Sequence, residues 1–123
     1  MPLIDIEIVC RPDEDVGSGL AGEIADRLGQ VLQAPPGTTW VKVRTIHHDR
    51  YAENGVLPAE GIHPVFMSIL KAKLPSPEKM QEEVSRLTEA VAQLCDRPKE
   101  DIHIIYLPEG AGRVAFGGRI VSG

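Results

Sequence analysis

The sequence predicts an α+β fold in which two fused βαβ units build one four-stranded mixed sheet with two helices on one face. Four short stretches alternate apolar and polar residues, and two longer ones repeat apolar residues at helical spacing. The order strand, helix, strand then occurs twice, at an offset of about 62 residues. One helix for every two strands is enough to cover a single face of the sheet. A chain of 123 residues is near the common size for one core, so residues 1–123 are read as a single domain. Repeat one covers about 2–61 and repeat two about 62–123.

The first strand is Pro2–Cys10, with proline at a position where no ladder hydrogen bond need be donated. Strand alternation puts Ile4, Ile6 and Ile8 on one face and Leu3, Asp5, Glu7 and Val9 on the other. The isoleucines are the better partners for the helices. A loop rich in Asp and Gly leads to a helix whose apolar residues are Val16, Leu20, Ile24, Leu28 and Val31, and Pro35-Pro36-Gly37 stops it. The second strand, Trp40–Ile46, alternates Val41 and Val43 with Lys42 and Arg44. The same order returns from Pro64. A strand over Pro64–Ala72 is followed by Ser76 as cap and Pro77 as first residue of a helix carrying Met80, Val84, Leu87, Val91 and Leu94. Asp96-Arg97-Pro98 ends that helix, and Asp101–Leu107 is the fourth strand, with Ile102 and Ile104 in the places of Val41 and Val43.

Composition excludes several classes of function. Apolar residues are 42% and charged residues 25%, ordinary for a folded globular chain. Thirteen basic residues against eighteen acidic ones leave a net charge of −5, with no broad cationic face for nucleic acid. No apolar run approaches the roughly twenty residues of a membrane span, and Met1 is followed by a strand pattern with acidic residues, so a cytoplasmic chain is expected. Cys10 and Cys95 are far apart with no partner motif and read as buried free thiols. His47-His48-Asp49 is not a metal site on this reading, because adjacent strand histidines point to opposite faces. Asn54-Gly55 reads as a turn in the polar loop after the second strand. The face opposite the isoleucines carries Leu3, Val9, Trp40 and Ile105 among charged residues and His103, a half-apolar surface that calls for a homo-oligomer.

Pro2 is the candidate for chemistry. Removal of Met1, normal before a small second residue, would leave Pro2 with a secondary amine, a compact base. Burial or a nearby cation would bring its pKa toward the working pH. The other reading makes Pro2 a strand-starting proline only. With βαβ repeated after it, the Pro2-Leu3-Ile4 start, the Pro35–Val43 passage and the closing run Val114–Ile120 resemble the tautomerase superfamily built around an amino-terminal proline. The likeness is to its two-repeat members, of the 4-oxalocrotonate tautomerase and macrophage migration inhibitory factor type. It covers essentially the whole chain.

The resemblance implies a homotrimer, a small anionic enol or keto acid as substrate, no cofactor, and Pro2 as general base. Pro64 holds the equivalent place in repeat two but is acylated by His63 and has no basic nitrogen. Arg11 lies one position from the family's loop arginine, and Lys42 matches its second-strand arginine, with Arg44 pointing the same way. Lys71 and Lys73 fall on a strand face where relatives that decarboxylate or dehalogenate small acids carry arginines. Tyr51 is a candidate to bind a substrate enol, and Phe116 to wall the pocket. Lys42 and Arg44 are equally readable as ion-pair partners of Asp5 or Glu7 across strands. Two other functions stay open: a hydratase, decarboxylase or dehalogenase using a carboxylate such as Glu53, Glu109 or Asp49, and a trimeric binding protein without turnover.

Overall fold

The computed structural model describes residues 1–56 and 61–122. The junction expected between the repeats follows residues 57–60, which lie outside that set. Four strands, β1 (Leu3–Val9), β2 (Trp40–Ile46), β3 (Val65–Leu70) and β4 (Ile102–Tyr106), form a mixed sheet in the order β2-β1-β3-β4. β1 is parallel to β2 and β3 to β4, while the central pair β1 and β3 runs antiparallel, with Leu3 opposite Leu70 and Ile8 opposite Val65. Each parallel pair is one βαβ repeat. The antiparallel join relates the repeats by an approximate two-fold axis, so Pro2 and Pro64 start their strands at opposite ends of the sheet.

Helices α1 (Leu20–Val31) and α2 (Pro77–Cys95) lie on one face, where Ile4, Ile6, Ile8, Val65, Met67 and Ile69 meet Ile24, Leu28, Leu87 and Val91, all at most 1% exposed. Burying side chains of this size stabilises the fold by about 1.5–3 kcal/mol each. The alternation of β1 thus falls as expected, except that Val9 is 1% exposed. At that strand end Arg97, just after α2, reaches back to the Val9 carbonyl. α1 begins at Leu20, so Val16 precedes the helix and packs on the core from the loop. Gly19 caps α1 without a side-chain bond. By contrast α2 starts as its sequence dictates: Ser76 accepts from the Lys79 N–H, Pro77 occupies the first turn, and Asp96 closes the helix in the left-handed conformation.

The tail forms a hairpin of its own, β5 (Ala115–Phe116) with β6 (Arg119–Ile120). Its two-residue loop is Gly117-Gly118, at φ 59° and 83°, the geometry that a tight primed turn demands and glycine supplies without strain. Gly55, at φ 80°, completes the turn expected at Asn54-Gly55, closed by Val56 N–H to the Glu53 carbonyl.

Candidate active site at the Pro2 end of the sheet

Pro2 is buried at the mouth of β1, and its carbonyl accepts from the Trp40 N–H at 3.0 Å. Extending the antiparallel register one step beyond Leu3 and Leu70 puts Pro2 opposite Lys71. Both belong to the helix-facing alternation, Pro2 with Ile4 and Lys71 with Ile69. Lys71 is accordingly directed toward α2, where its Nζ lies 2.7 Å from Glu83 Oε1. The second Glu83 oxygen accepts from the Tyr106 hydroxyl, and burial followed by that carboxylate pushes the phenol well above its ordinary value. The Gly110 N–H donates to the Lys71 carbonyl at 2.9 Å, tying the segment after β4 over this end. The Trp40 ring meets Phe116 edge-on, with centroids 4.9 Å apart, so the hairpin also closes on the Pro2 end. With Met1 attached, the Pro2 nitrogen is an amide.

The other expected site residues are distributed differently. Lys71 and Lys73 both follow β3, which ends at Leu70, so they do not share a strand face: the Lys71 carbonyl bonds to Gly110 rather than into the ladder, and Lys73 is exposed. Lys42 and Arg44 stand on the uncovered face as β2 alternation requires. Lys42 Nζ is 3.2 Å from Asp5 Oδ1, and Arg44 is 3.8 Å from Asp5 and 3.6 Å from Glu7. They form the cross-strand ion-pair ladder, and of the two Lys42 lies nearer Pro2. Arg11 follows the far end of β1, an end that lies roughly 22–24 Å from Pro2 at the rise of an extended strand. There its guanidinium contacts Glu14 and the Asp96 carbonyl. Tyr51 also belongs to the far half of the sheet, 5.7 Å from Phe66 between ring centroids; Phe66 pairs with Glu7. Burial and the hydrogen bond to Glu53 raise the Tyr51 phenol to about 12. Within this chain, then, Lys71 and Phe116 gather at the Pro2 end, whereas Arg11 and Tyr51 do not.

The three candidate carboxylates for a water-activating role are all engaged. Glu53 accepts from Tyr51, Glu109 accepts from the Leu74 N–H at 2.7 Å, and Asp49 meets His47 Nδ1 at 2.6 Å. That last contact holds Asp49 below the ordinary carboxylate value. His47 and His48 do not point apart: the chain leaves β2 into a tight 3-10 turn over His48–Arg50, and the two rings lie 4.3 Å apart.

Sequence reasoning missed two clusters. Glu83 and Tyr106 carried no short-range signal, since twelve residues separate Lys71 from Glu83 and the contact needs α2 folded back on the sheet. Arg97 was legible only as part of a helix stop, yet its side chain is 1% exposed and makes five hydrogen bonds at the Pro64 end. They go to Glu14 twice and to the carbonyls of His63, Cys95 and Val9.

No protein-family profile matches the chain, and no curated protein matches it in sequence. Solved structures match it over nearly its whole length. Macrophage migration inhibitory factor from Trichinella spiralis aligns at TM-score 0.71 and 14% identity, over 97% of this chain and 99% of that one. Pt0534 inactivated by 2-oxo-3-pentynoate aligns at 0.74 and 13%, over 96% and 94%. A fused 4-OT symmetric trimer aligns at 0.73 and 13%, again over 96% and 94%. With its strand order, its helix-covered face and a proline at the mouth of β1, the chain therefore has the fold of the tautomerase superfamily that its sequence resembles.

Proposed function

We propose that the chain, once Met1 is removed, is a cofactor-independent tautomerase acting on small enol or keto acids, with the Pro2 amine as general base. The observation that carries this reading is the buried Pro2 at the mouth of β1, with Lys71 one residue past the end of the neighbouring β3. Burial and a neighbouring ammonium both disfavour a protonated amine, which brings the base toward neutral pH. In the forward step the neutral amine takes a proton from an enol hydroxyl or from the carbon next to a carbonyl, and the resulting prolinium returns it elsewhere on the dienolate. A cation beside the substrate carboxylate stabilises charge as it develops. Lys71 or Lys42, which lie on opposite faces of the sheet, serves this role by exchanging its carboxylate partner for the substrate.

Arg11 and Tyr51 reach a Pro2 site only from a neighbouring subunit, so the reading includes a homotrimer, the assembly of the similar fused 4-OT structure. The inactivation of Pt0534 by 2-oxo-3-pentynoate supports a 2-oxo acid as substrate class. Tautomerisation is favoured over hydration or dehalogenation because Glu53, Glu109 and Asp49 are occupied by internal donors. A binding protein without turnover predicts no rate at all.

The test is mass spectrometry of the protein from its own cell, followed by turnover of phenylenolpyruvate and 2-hydroxymuconate against pH. The expected rate rises through one ionisation, and Pro2→Ala lowers it and moves the inflection. A chain that uniformly carries Met1, or an inflection unmoved by Pro2→Ala, would sink the proposal.

A further inference from the structure

Of the two buried side-chain oxygens that lack a hydrogen bond among the described residues, Asp5 Oδ1 has the Lys42 ammonium at 3.2 Å, whereas Thr39 Oγ1 has no partner. Thr39 ends the loop between α1 and β2 and continues the helix-facing alternation of Val41 and Val43. It therefore turns toward α1, where a Cβ on Gly29 would lie 3.5 Å from the hydroxyl. Gly29 is helical and not at positive φ, so its bare backbone opens space without answering a conformational need. That space belongs to a groove of about 550 Å³ between the last turns of α1 and the Pro35–Gly37 turn, with Thr39 in its wall.

The groove favours positive charge. Its lining holds one ionisable side chain, the Asp26 carboxylate, and no lysine, arginine or histidine. α1 ends here with no basic residue in its last turn to offset the partial negative charge of a helix C-terminus. The N–H groups of Leu32, Gln33 and Ala34 turn back to the carbonyls of Leu28, Gln30 and Gly29. The next carbonyls, Val31 to Gln33, receive no backbone donor among the described residues. Pro35 and Pro36 add an apolar wall. We infer that this groove binds a small organic ammonium ion with a short apolar stem. The ammonium lies against Asp26 and the helix end, Thr39 accepts one of its N–H groups after a turn about the Cα–Cβ bond, and the stem rests on the prolines. The site is on the α1 side of the sheet, apart from the Lys71 pair with Glu83 and from the Lys42 ladder on the open face. It does not depend on removal of Met1.

The fold supplies its own reporter. Trp40 is the single tryptophan, its indole N–H donates to the Gly37 carbonyl at 3.0 Å, and Gly37 lines the groove. The isotope-labelled full chain is titrated by NMR with butylammonium chloride, tetramethylammonium chloride and sodium butyrate at constant ionic strength. Butylammonium is expected to give saturable shifts at the Trp40 indole and at the amides of Gln30, Gln33, Gly37 and Thr39. Tetramethylammonium, which carries the charge without an N–H, should bind about tenfold more weakly, the worth of one hydrogen bond to a charged group, and butyrate should give no saturable shift. Asp26→Asn and Thr39→Val should each weaken butylammonium by about tenfold, and Thr39→Val should leave tetramethylammonium unchanged. Both variants should fold, since Asp26 is exposed and the Thr39 hydroxyl is buried without a partner, so that its loss holds or raises the thermal midpoint. Absence of a saturable shift with butylammonium, an equal response to butyrate, or an affinity unchanged in either variant overturns the site.

Discussion

At the residue scale, the two ends of the sheet surround their prolines differently. At the Pro64 end the proline nitrogen is an amide, and the adjacent space is filled by Arg97, whose guanidinium bonds to Glu14 and three carbonyls. Pro64→Ala should therefore leave turnover nearly intact while Pro2→Ala lowers it; equal losses would place the base elsewhere. Breaking a buried ion pair costs about 3–5 kcal/mol, because the remaining charge stays desolvated. Arg97→Met should lower unfolding free energy toward the smaller end of that range, since the Glu14 side chain keeps 18% exposure. Adding Glu14→Gln should recover part of the loss in urea titrations. The Arg97 hydrogen bond holds the Glu14 carboxyl below its ordinary 4.5, against the opposing effect of burial. The resulting stabilisation is complete above that value and disappears as pH falls through the lowered one. Glu14→Gln should flatten this acid limb of the stability profile, and an unchanged limb would assign it to other carboxylates.

At the scale of elements, α2 is fastened to the sheet at its first half by Lys71 and Tyr106 on Glu83, and at its end by Arg97 on the Cys95 carbonyl. Its start depends on the Ser76 cap, whose Oγ lies 3.4 Å from the Lys79 nitrogen. Ser76→Ala should cost about 0.5–1 kcal/mol, the lower part of the range for such caps given this long bond, readable as a small fall in thermal midpoint. Glu83→Gln has a more specific consequence. It leaves the Lys71 ammonium uncompensated opposite Pro2, so the pH inflection of turnover should fall, because a like charge disfavours the prolinium. A stability loss with an unmoved inflection would make Glu83 a fastener of α2 alone.

At the scale of the whole molecule, the uncovered sheet face remains. Trp40 is 47% exposed and Ile105 62%, beside the ion-pair ladder of Asp5, Glu7, Lys42 and Arg44. Exposed apolar side chains set among paired charges suit a second copy of the same surface. Sedimentation should therefore give a species near three times 13.4 kDa. Ile105→Asp is the sharper variant, since a residue so exposed in the single chain contributes little to its folding. It should dissociate the assembly while the thermal midpoint of the isolated chain holds. A concentration-independent monomer, or a trimer indifferent to Ile105→Asp, would remove this face from the interface.

Much of this fold was legible because its determinants are local. Alternation in Pro2–Cys10 and Trp40–Ile46 assigned the core and open faces, and the Ser76-Pro77 start and the Asp96 stop bracketed α2 correctly. The turn at Gly117-Gly118 also rests on a local determinant, since few residues other than glycine adopt two successive positive φ values. The sheet order, the opposite placement of Pro2 and Pro64, and the distance between Arg11 and Pro2 came only from the tertiary structure. A strand's sequence records which face is buried but not which neighbour it meets. Lys71 shows the physical reason: its sequence neighbours continue a strand pattern, yet the ladder ends at Leu70 and its ammonium is taken by a glutamate that only the docking of α2 brings within 2.7 Å. The sequence alone determined that a proline opens the first strand of a duplicated βαβ chain. Tertiary packing decided which side chains surround it, because contacts between charges depend on distance in space and not on distance along the chain.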